Sequence, residues 1–331
     1  METKIHARHE PMIEILSLDA CAFRPEDQVV VALGFFDGLH RAHQRLIAEA
    51  RQRARARGGL LSVFTFQNHP SQVLNPGAPV PLLSPYPLKR EWLKVLDVDA
   101  VVAVPFDWAL CHTSAEAFIA TVLRDRLRAR EVVIGFNFRF GHKRRGSAET
   151  LKQRVPEIFE AVTVIEQQFH DDIPISSSAI RELILGGNLQ EAEAMLGRPY
   201  PQAGRVIRGD GRGRSIGVPT ANLAIENQAL PPNGVYGVRV HIGGLGSQTG
   251  WGVMNIGTVP TFKNESTRHT EVHILNFDQD IYDQYLIAEI IHPLREERKF
   301  PGPAELIRQI HADIEQFQSW LSQSQETGGP W

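Results

Sequence analysis

The sequence contains little cysteine and no long apolar run. Only two of its 331 residues are cysteines, Cys21 and Cys111, and they lie far apart. Two separated cysteines form neither a disulfide framework nor a zinc-binding pattern, and they fit a reducing compartment. No apolar stretch approaches the ~20 residues that a membrane-spanning helix needs, and residues 1–10 lack the apolar core of a signal peptide. We therefore expect a cytoplasmic protein without a membrane partner.

A large excess of charge of one sign is also absent. The chain has 35 Lys and Arg against 38 Asp and Glu, a formal net charge of -3. Because no global basic field exists, we expect no nucleic-acid partner. Four arginines at residues 51–57 are interpreted as the solvated face of a helix. A length of 331 residues suits two domains better than one.

In the first half of the chain, apolar strands alternate with helical segments. This alternation is typical of a parallel sheet covered by helices on both faces, in which ligands bind beyond the carboxyl ends of the strands. Residues 1–27 are interpreted as a short lead-in. Strands are predicted at residues 29–33, 60–66, 100–104, 131–135 and 162–165, and helices at residues 44–57, 87–96 and 114–128.

The pattern changes near Gly186 and Gly187, so we predict domains at residues 1–187 and 188–331. After a short helix at residues 189–196, strand-like segments follow closely with Gly-rich turns, which indicates a compact antiparallel barrel. A final helix is expected at about residues 303–321. The barrel strands are predicted at residues 204–208, 234–242, 248–256, 270–277 and 284–291.

The segment GFFDGLHRAHQ at residues 34–44 joins the first predicted strand to the first helix. A strand, a turn and a helix N-terminus make a site for an anion, because free backbone N–H groups and the helix dipole point the same way. His40 and His43 are three residues apart and would project to one side. They could bind phosphate oxygens; the alternative is a turn with two solvated histidines.

Three further polar segments occur in this half. TFQNHPSQVL at residues 65–74 leaves the second strand, and its His69 is either a site residue or a loop residue. VIGFNFRFG at residues 133–141 alternates phenylalanines with polar residues, and the basic run at 142–145 either attracts phosphate or forms a solvated loop. ISSSAIR at residues 175–181 starts a helix that Ser176 or Ser177 would cap.

In this order, the four segments resemble those of the FAD synthetase half of bacterial bifunctional riboflavin kinase/FAD synthetases, within the nucleotidyltransferase superfamily. The resemblance implies a Rossmann-like domain that transfers AMP from ATP to FMN, giving FAD and pyrophosphate. Such a site works by alignment and charge neutralisation. By resemblance, the catalytic residues are His40, His43 and Arg181; the residues that bind ATP phosphates are Gly34, Phe36, Asp37, Ser176 and Ser177; and those that bind flavin are Asn68, Asn137 and Arg139.

A glycine-rich segment, GRVIRGDGRGRSIGVPTANL, occupies residues 204–223 in the second half. Its five glycines and four arginines suggest a phosphate cradle made of backbone N–H groups. Thr220 and Asn222 are two residues apart, so on an extended chain both oxygens lie on one side. Hard oxygen ligands of this kind suit Mg²⁺. The alternative is a polar turn between strands.

GVPTAN within this segment resembles the G-x-P-T-A-N motif of riboflavin kinases. The segments WGVMNIGTVPTF at 251–262, TEVHIL at 270–275 and LREERKF at 294–300 resemble further elements of that family. The resemblance implies phosphorylation of riboflavin by ATP and Mg²⁺, with Glu271 as the base that takes the 5′-hydroxyl proton. By resemblance, Thr220 and Asn222 bind the metal; Arg208, Gly209, Gly217 and Pro219 bind ATP; and Arg295 lies near flavin or nucleotide, unless its segment is only a charged turn.

We therefore predict a bifunctional enzyme that uses riboflavin, FMN and ATP, as a monomer or weak homo-oligomer. The chain departs from the first family pattern at Phe35, Ala42, Asn68 and Ser178. Glycine is usual at position 42, where it lets backbone approach phosphate closely. The alternative prediction is an active kinase joined to an N-terminal module that binds nucleotide or flavin with little or no catalysis.

Overall fold

The computed structural model describes residues 11–209, 213, 217–260 and 266–326. Most of the centre of the glycine-rich segment and the last two residues of WGVMNIGTVPTF lie outside the described residues. The chain divides into two compact units, one ending at Ser177 and one beginning at Ser178. The domain boundary expected after residue 187 stays a prediction.

The first unit contains a six-stranded sheet within its described residues. The strand order is β1-β4-β3-β2-β5-β6, and every neighbouring pair is parallel. The five predicted strands are confirmed. β1 was missed, because three residues are too few to show a period. The bounds are β1 Ile13–Ile15, β2 Val30–Leu33, β3 Leu61–Phe66, β4 Ala100–Val104, β5 Glu131–Gly135 and β6 Ala161–Ile165.

Helices cover both faces of this sheet. Val31 and Leu33 of β2 face one apolar core, whereas Val30 and Ala32 face the other, because successive side chains of a strand point to opposite faces. The helices are α1 Arg41–Ala56, α2 Pro70–Leu74, α3 Tyr86–Val95, α4 Trp108–His112, α5 Ala115–Ala117, continued by a π-helical stretch at Phe118–Arg126, and α6 Ala148–Lys152.

A small hairpin and two helices follow the sheet. The hairpin pairs β7 (Phe169–His170) with β8 (Ile173–Pro174) in antiparallel orientation. Helix α7 spans Ser177–Leu185 and α8 spans Leu189–Leu196. The predicted helix at residues 189–196 is therefore confirmed, and the hairpin is an element that the sequence pattern did not predict.

The second unit contains a closed barrel of six strands in the part that the structure describes. Their order is β10-β13-β12-β11-β14-β9, and all paired neighbours are antiparallel. Closure leaves no sheet edge exposed. The bounds are β9 Pro201–Ile207, β10 Ala221–Ala224, β11 Gly234–Ile242, β12 Gln248–Pro260, β13 Ser266–Ile274 and β14 Tyr285–Glu296.

The C-terminal helix α9, Pro303–Glu326, packs on the barrel and runs further than predicted. Phe317 is fully buried against Val235 and Val253. Gly237 is required beneath this ring, because a Cβ there would lie 2.2 Å from a Phe317 ring atom. Among the described residues, no helix is both long and apolar enough to cross a membrane.

Candidate active sites

The turn after β2 is held in shape by buried hydrogen bonds. Asp37 is 2% exposed, and its Oδ1 accepts hydrogen bonds from the backbone N–H groups of Leu83 and Ser84, both at 2.9 Å. The N–H of Gly38, which has φ 77°, donates to Ser84 Oγ at 2.8 Å. A buried carboxylate is expensive unless it accepts such bonds. Asp37 therefore braces the turn from inside.

Phe36 and Gly34 shape the same turn through packing. The Phe36 ring is buried in the core, and its backbone is left-handed with φ 55°. A Cβ on Gly34 would lie 2.9 Å from that ring. Glycine at position 34 therefore makes room for the buried phenylalanine ring, and contact of Phe36 with ATP stays a prediction.

His40 is the N-cap of α1, which begins at Arg41 and therefore earlier than predicted. Its Nδ1 accepts a hydrogen bond from the His43 backbone N–H at 3.4 Å, and the two rings stack with centroids 3.6 Å apart. An imidazole that accepts at Nδ1 carries its proton on Nε2 when neutral. Ala42, the second residue of α1, is not among the residues with positive φ, so the usual glycine is not needed there for its backbone conformation.

Ser177, in the segment ISSSAIR at residues 175–181, contacts the turn that follows β2. Its Oγ donates to the backbone carbonyl of Asp37 at 3.0 Å, across 140 positions of sequence. Ser177 is the first residue of α7, and Ser176 immediately precedes the helix. Arg181 lies one turn further along α7, and its contact with phosphate stays a prediction.

Lys89 is a buried residue of this region that sequence reasoning missed. Its Nζ donates to the backbone carbonyls of Phe35 at 2.7 Å and Phe66 at 3.3 Å. Burial lowers the pKa of Lys89 to about 7, against the opposing effect of the Asp37 charge. A signal was present, since Lys89 precedes Trp92 and Leu93 by three and four residues and so lies on the apolar stripe of the predicted helix.

The Asn68 side chain is bonded to a neighbouring loop. Its carboxamide makes two bonds with the backbone of Phe106: Nδ2 donates to the carbonyl at 3.0 Å, and Oδ1 accepts from the N–H at 2.8 Å. These bonds tie the loops that follow β3 and β4. The amide that was expected to bind flavin is thus engaged with the chain, and its flavin contact stays a prediction.

The structure shows His69 making local contacts. Its Nδ1 accepts from the Ser71 backbone N–H at 3.0 Å and lies 2.7 Å from Ser71 Oγ, which makes it the N-cap of α2. Its ring packs edge-on against Phe35 with centroids 4.8 Å apart. Of the two alternatives, the observed contacts favour a loop residue.

The phenylalanines after β5 differ in exposure. Phe140 is buried and contacts Phe118, whereas Phe136 is 49% exposed. Asn137 and Arg139 are both exposed at the carboxyl end of the sheet. Of the residues predicted for flavin in this segment, these two are therefore accessible to a ligand.

A cavity of about 320 Å³ lies in the second unit. Glu271, the predicted base, lines it together with Thr220, Asn255 and Arg295. Strand register explains the clustering, because Glu271 of β13 is directly opposite Asn222 of β10 on one side and Asn255 of β12 on the other. Directly opposite residues of a sheet project to the same face. Thr220 Oγ1 is 3.5 Å from Glu271 Oε2.

One end of the glycine-rich segment passes close to Asn222. A Cβ on Gly209 would lie 2.3 Å from Asn222 Nδ2, so a larger residue there would displace that carboxamide. Gly217 has φ 80°, a conformation that favours glycine. The carbonyl of Pro219 accepts a hydrogen bond from His273 Nδ1 at 2.8 Å. His273 thus anchors the segment just before Thr220.

A second cavity, of about 240 Å³, shares Thr220 with the first. Pro219, Asp278 and Tyr282 also line it. The guanidinium carbon of Arg208 lies 4.9 Å from the centre of the Tyr282 ring. Thr220 therefore lines both cavities, and Arg208 lies close to the smaller cavity.

Arg295 is paired with the C-terminal helix. Its Nε and Nη2 donate to Asp313 at 2.9 Å each, in a forked geometry. The Asp313 side chain is 2% exposed and also accepts from Gln309 Nε2 at 2.6 Å. Both charged residues line the larger cavity. Arg295 therefore lines the larger cavity with its guanidinium bonded to Asp313, and its position near flavin or nucleotide stays a prediction.

The two units combine distinct architectures for handling phosphate groups. A parallel sheet with a histidine-capped helix at its ligand edge is typical of a nucleotide-binding domain. A barrel with a carboxylate, a hydroxyl and an amide in one cavity is equipped for group transfer to a hydroxyl. Together they define a two-domain ATP-dependent transferase.

Sequence comparison gives the family. The FAD synthetase family model matches residues 23–179 and the riboflavin kinase family model matches residues 196–321. The chain is 37% identical to the bifunctional riboflavin kinase/FMN adenylyltransferase of Listeria monocytogenes, over 90% of this chain and 94% of that protein. The chain belongs to the family of bifunctional riboflavin kinase/FMN adenylyltransferases and carries both catalytic domains.

Other relatives agree. The enzymes of the same name from Bacillus subtilis and Escherichia coli K12 are 36% and 34% identical, over 88% and 87% of this chain and 92% and 91% of theirs. A crystal structure from Streptococcus pneumoniae, described as a macrolide-efflux protein, has a TM-score of 0.78 and 31% identity. It covers 94% of this chain and 100% of its own. That likeness is one of sequence and fold.

Proposed function

We propose that the barrel domain phosphorylates riboflavin with ATP and Mg²⁺, and that the α/β domain transfers AMP from ATP to the resulting FMN. The observation that carries the proposal is the arrangement around Glu271, which lines the larger cavity beside Thr220 and directly opposite Asn222. A base, a hydroxyl and an amide in that relation are what transfer from a metal-bound nucleotide to an alcohol requires.

In the kinase, Glu271 takes the proton from the riboflavin 5′-hydroxyl as its oxygen attacks the γ-phosphorus of ATP. The leaving group is ADP. Flavin occupies the larger cavity and nucleotide the smaller one. Because Thr220 lines both cavities, the phosphoryl group is transferred beside Thr220. Arg208 and the backbone of Gly209, Gly217 and Pro219 contact the nucleotide.

The donor set near Glu271 fits magnesium. Thr220 and Asn222 supply a hydroxyl and a carboxamide oxygen, and Mg²⁺ prefers such oxygens along with water and substrate phosphates. A protein cage of carboxylates is not needed for such a site. When bound, the ion neutralises phosphate charge during transfer.

In the adenylyltransferase, a phosphate oxygen of FMN attacks the α-phosphorus of ATP and pyrophosphate leaves. No proton has to be removed from the nucleophile, so the site acts by alignment and charge neutralisation. His40 donates from Nε2 to phosphate, supported by its Nδ1 cap contact. His43, Arg181 and the hydroxyl of Ser176 complete the phosphate contacts, while Asn137 and Arg139 contact the flavin.

A product assay tests both halves. Purified protein is incubated with riboflavin, ATP and Mg²⁺, and riboflavin, FMN and FAD are separated over time. We expect FMN first and FAD after it, with one pyrophosphate released for each FAD. FMN that accumulates without FAD or pyrophosphate would reject the proposal for the α/β domain. Absence of FMN would reject it for the barrel.

A further inference from the structure

We propose that Lys89 is a positioning residue for adenylyl transfer, which holds the turn carrying His40 against the loop that follows β3. The proposal rests on the function proposed for the α/β domain. Lys89 is 1% exposed and does not reach a ligand, so its effect passes through the two backbone segments that it joins.

The contacts of the ammonium define this role. Nζ lies 2.7 Å from the carbonyl of Phe35, in the segment after β2, and 3.3 Å from the carbonyl of Phe66, the last residue of β3. Thr65 Oγ1 lies 3.4 Å from Nζ and itself donates to the Phe35 carbonyl at 2.9 Å. One cation thus joins the carboxyl ends of two adjacent strands, which is the ligand edge of the sheet.

The Phe35 side chain adds to this arrangement. Nζ lies 3.9 Å from the centre of its ring, and His69 packs against the same ring. A cation over an aromatic face is stabilised by the ring quadrupole. Phe35, a departure from the family pattern, is therefore the residue around which the lysine and both ligand-edge segments assemble.

A buried lysine at this position carries a desolvation cost. Removing an ammonium from water costs several kcal/mol, and an apolar residue on the same stripe of α3 would avoid that cost. The ammonium nevertheless donates to the carbonyls of both Phe35 and Phe66, since three N–H groups on one atom can serve several acceptors. The geometry therefore favours a residue retained for the shape of the site.

Loss of the proton from Lys89 should loosen this junction, since a neutral amine has one N–H fewer. Its pKa of about 7 puts that loss near neutral pH. Asp37, whose charge acts on Lys89, and His69, on the other side of Phe35, are the titratable groups that face it. We expect kcat for FAD formation to fall as pH rises through about 7.

The test compares Lys89→Met with Lys94→Met, the same change at an exposed lysine of α3 that pairs with Glu91. FAD formation from FMN is measured from pH 6 to 9, with riboflavin phosphorylation by the same chain as the internal reference. Misplaced catalytic groups cost on the order of 10- to 100-fold. We expect K89M to lose about that much kcat, with a smaller change in KM for ATP, and K94M to match the wild type.

Lys89→Gln distinguishes the hydrogen-bond donor role of Lys89 from its charge. It also replaces K89M as the test variant if K89M does not fold. Its carboxamide keeps N–H groups but does not titrate, so we expect more residual kcat than in K89M and loss of the pH-dependent step near 7. Wild-type kcat in folded K89M, or a wild-type pH profile in K89Q, would overturn the proposal. A wild-type chain that makes no FAD would instead reject the proposed function, and this inference with it.

Discussion

The ion pair between Arg295 and Asp313 offers a quantitative test of how the barrel and its C-terminal helix depend on each other. The Asp313 side chain is 2% exposed and that of Arg295 18%. Removing one partner of a buried pair typically costs about 3–5 kcal/mol, because the other charge stays buried and unpaired. Since Arg295 keeps some contact with water, we expect Asp313→Asn to cost about 3 kcal/mol, at the lower end of that range.

Hydrogen–deuterium exchange of peptides from α9 measures this change locally. A loss of about 3 kcal/mol lowers amide protection by roughly 100-fold. The matched control is Asp19→Asn, because Asp19 and Arg126 form an ion pair of similar length, 2.8 Å, on the surface. The Asp19 side chain is 88% exposed and that of Arg126 46% exposed. A surface pair contributes about 0–1 kcal/mol, so D19N should change protection little.

The same variant tests the wall of the larger cavity. Because Arg295 and Asp313 both line it, D313N should also raise KM for riboflavin while FMN adenylylation is unchanged. If the amide protection of α9 in D313N stays within the range seen in D19N, the Arg295–Asp313 pair is solvated. The expected loss of stability would then be refuted. Unchanged KM for riboflavin would remove the pair from the flavin site.

Two substitutions test the two sites separately, and a third prediction concerns the pH dependence of stability. Glu271→Gln should abolish FMN formation by removing the base, yet leave FAD formation from added FMN; loss of both activities would contradict independent sites. His40→Ala should lower FAD formation by about 100- to 1,000-fold, as expected for a lost charge-stabilising donor, and spare the kinase; normal FAD output would mean that the opening motif is misread. Because the pKa of Lys89 is lowered from 10.5 to about 7, the unfolded chain binds more protons between these values, and the free energy of unfolding of the α/β domain should rise with pH across that window. Urea unfolding followed by circular dichroism should show that rise in the wild type; an equal rise in K89M would assign it to another group.

Patterns local in sequence predicted most of the secondary structure. Strands at residues 100–104, 131–135 and 234–242 and the helix at 189–196 match the observed bounds, since apolar periodicity depends only on near neighbours. The strand register places Asn222 of β10 directly opposite Glu271 of β13, while the roles predicted for these residues stay predictions. The strand β1 and the hairpin β7–β8 were too short to predict.

Partners distant in sequence explain what the motifs did not predict. The sequence by itself determined the two-domain order and the fold classes. Only the tertiary structure decided that Asn68 binds Phe106, that Arg295 binds Asp313, and that Lys89 joins two strands. The reason is physical. A side chain forms hydrogen bonds with the polar groups that the fold brings within about 3 Å, and the separation of two residues along the sequence does not predict their distance in space.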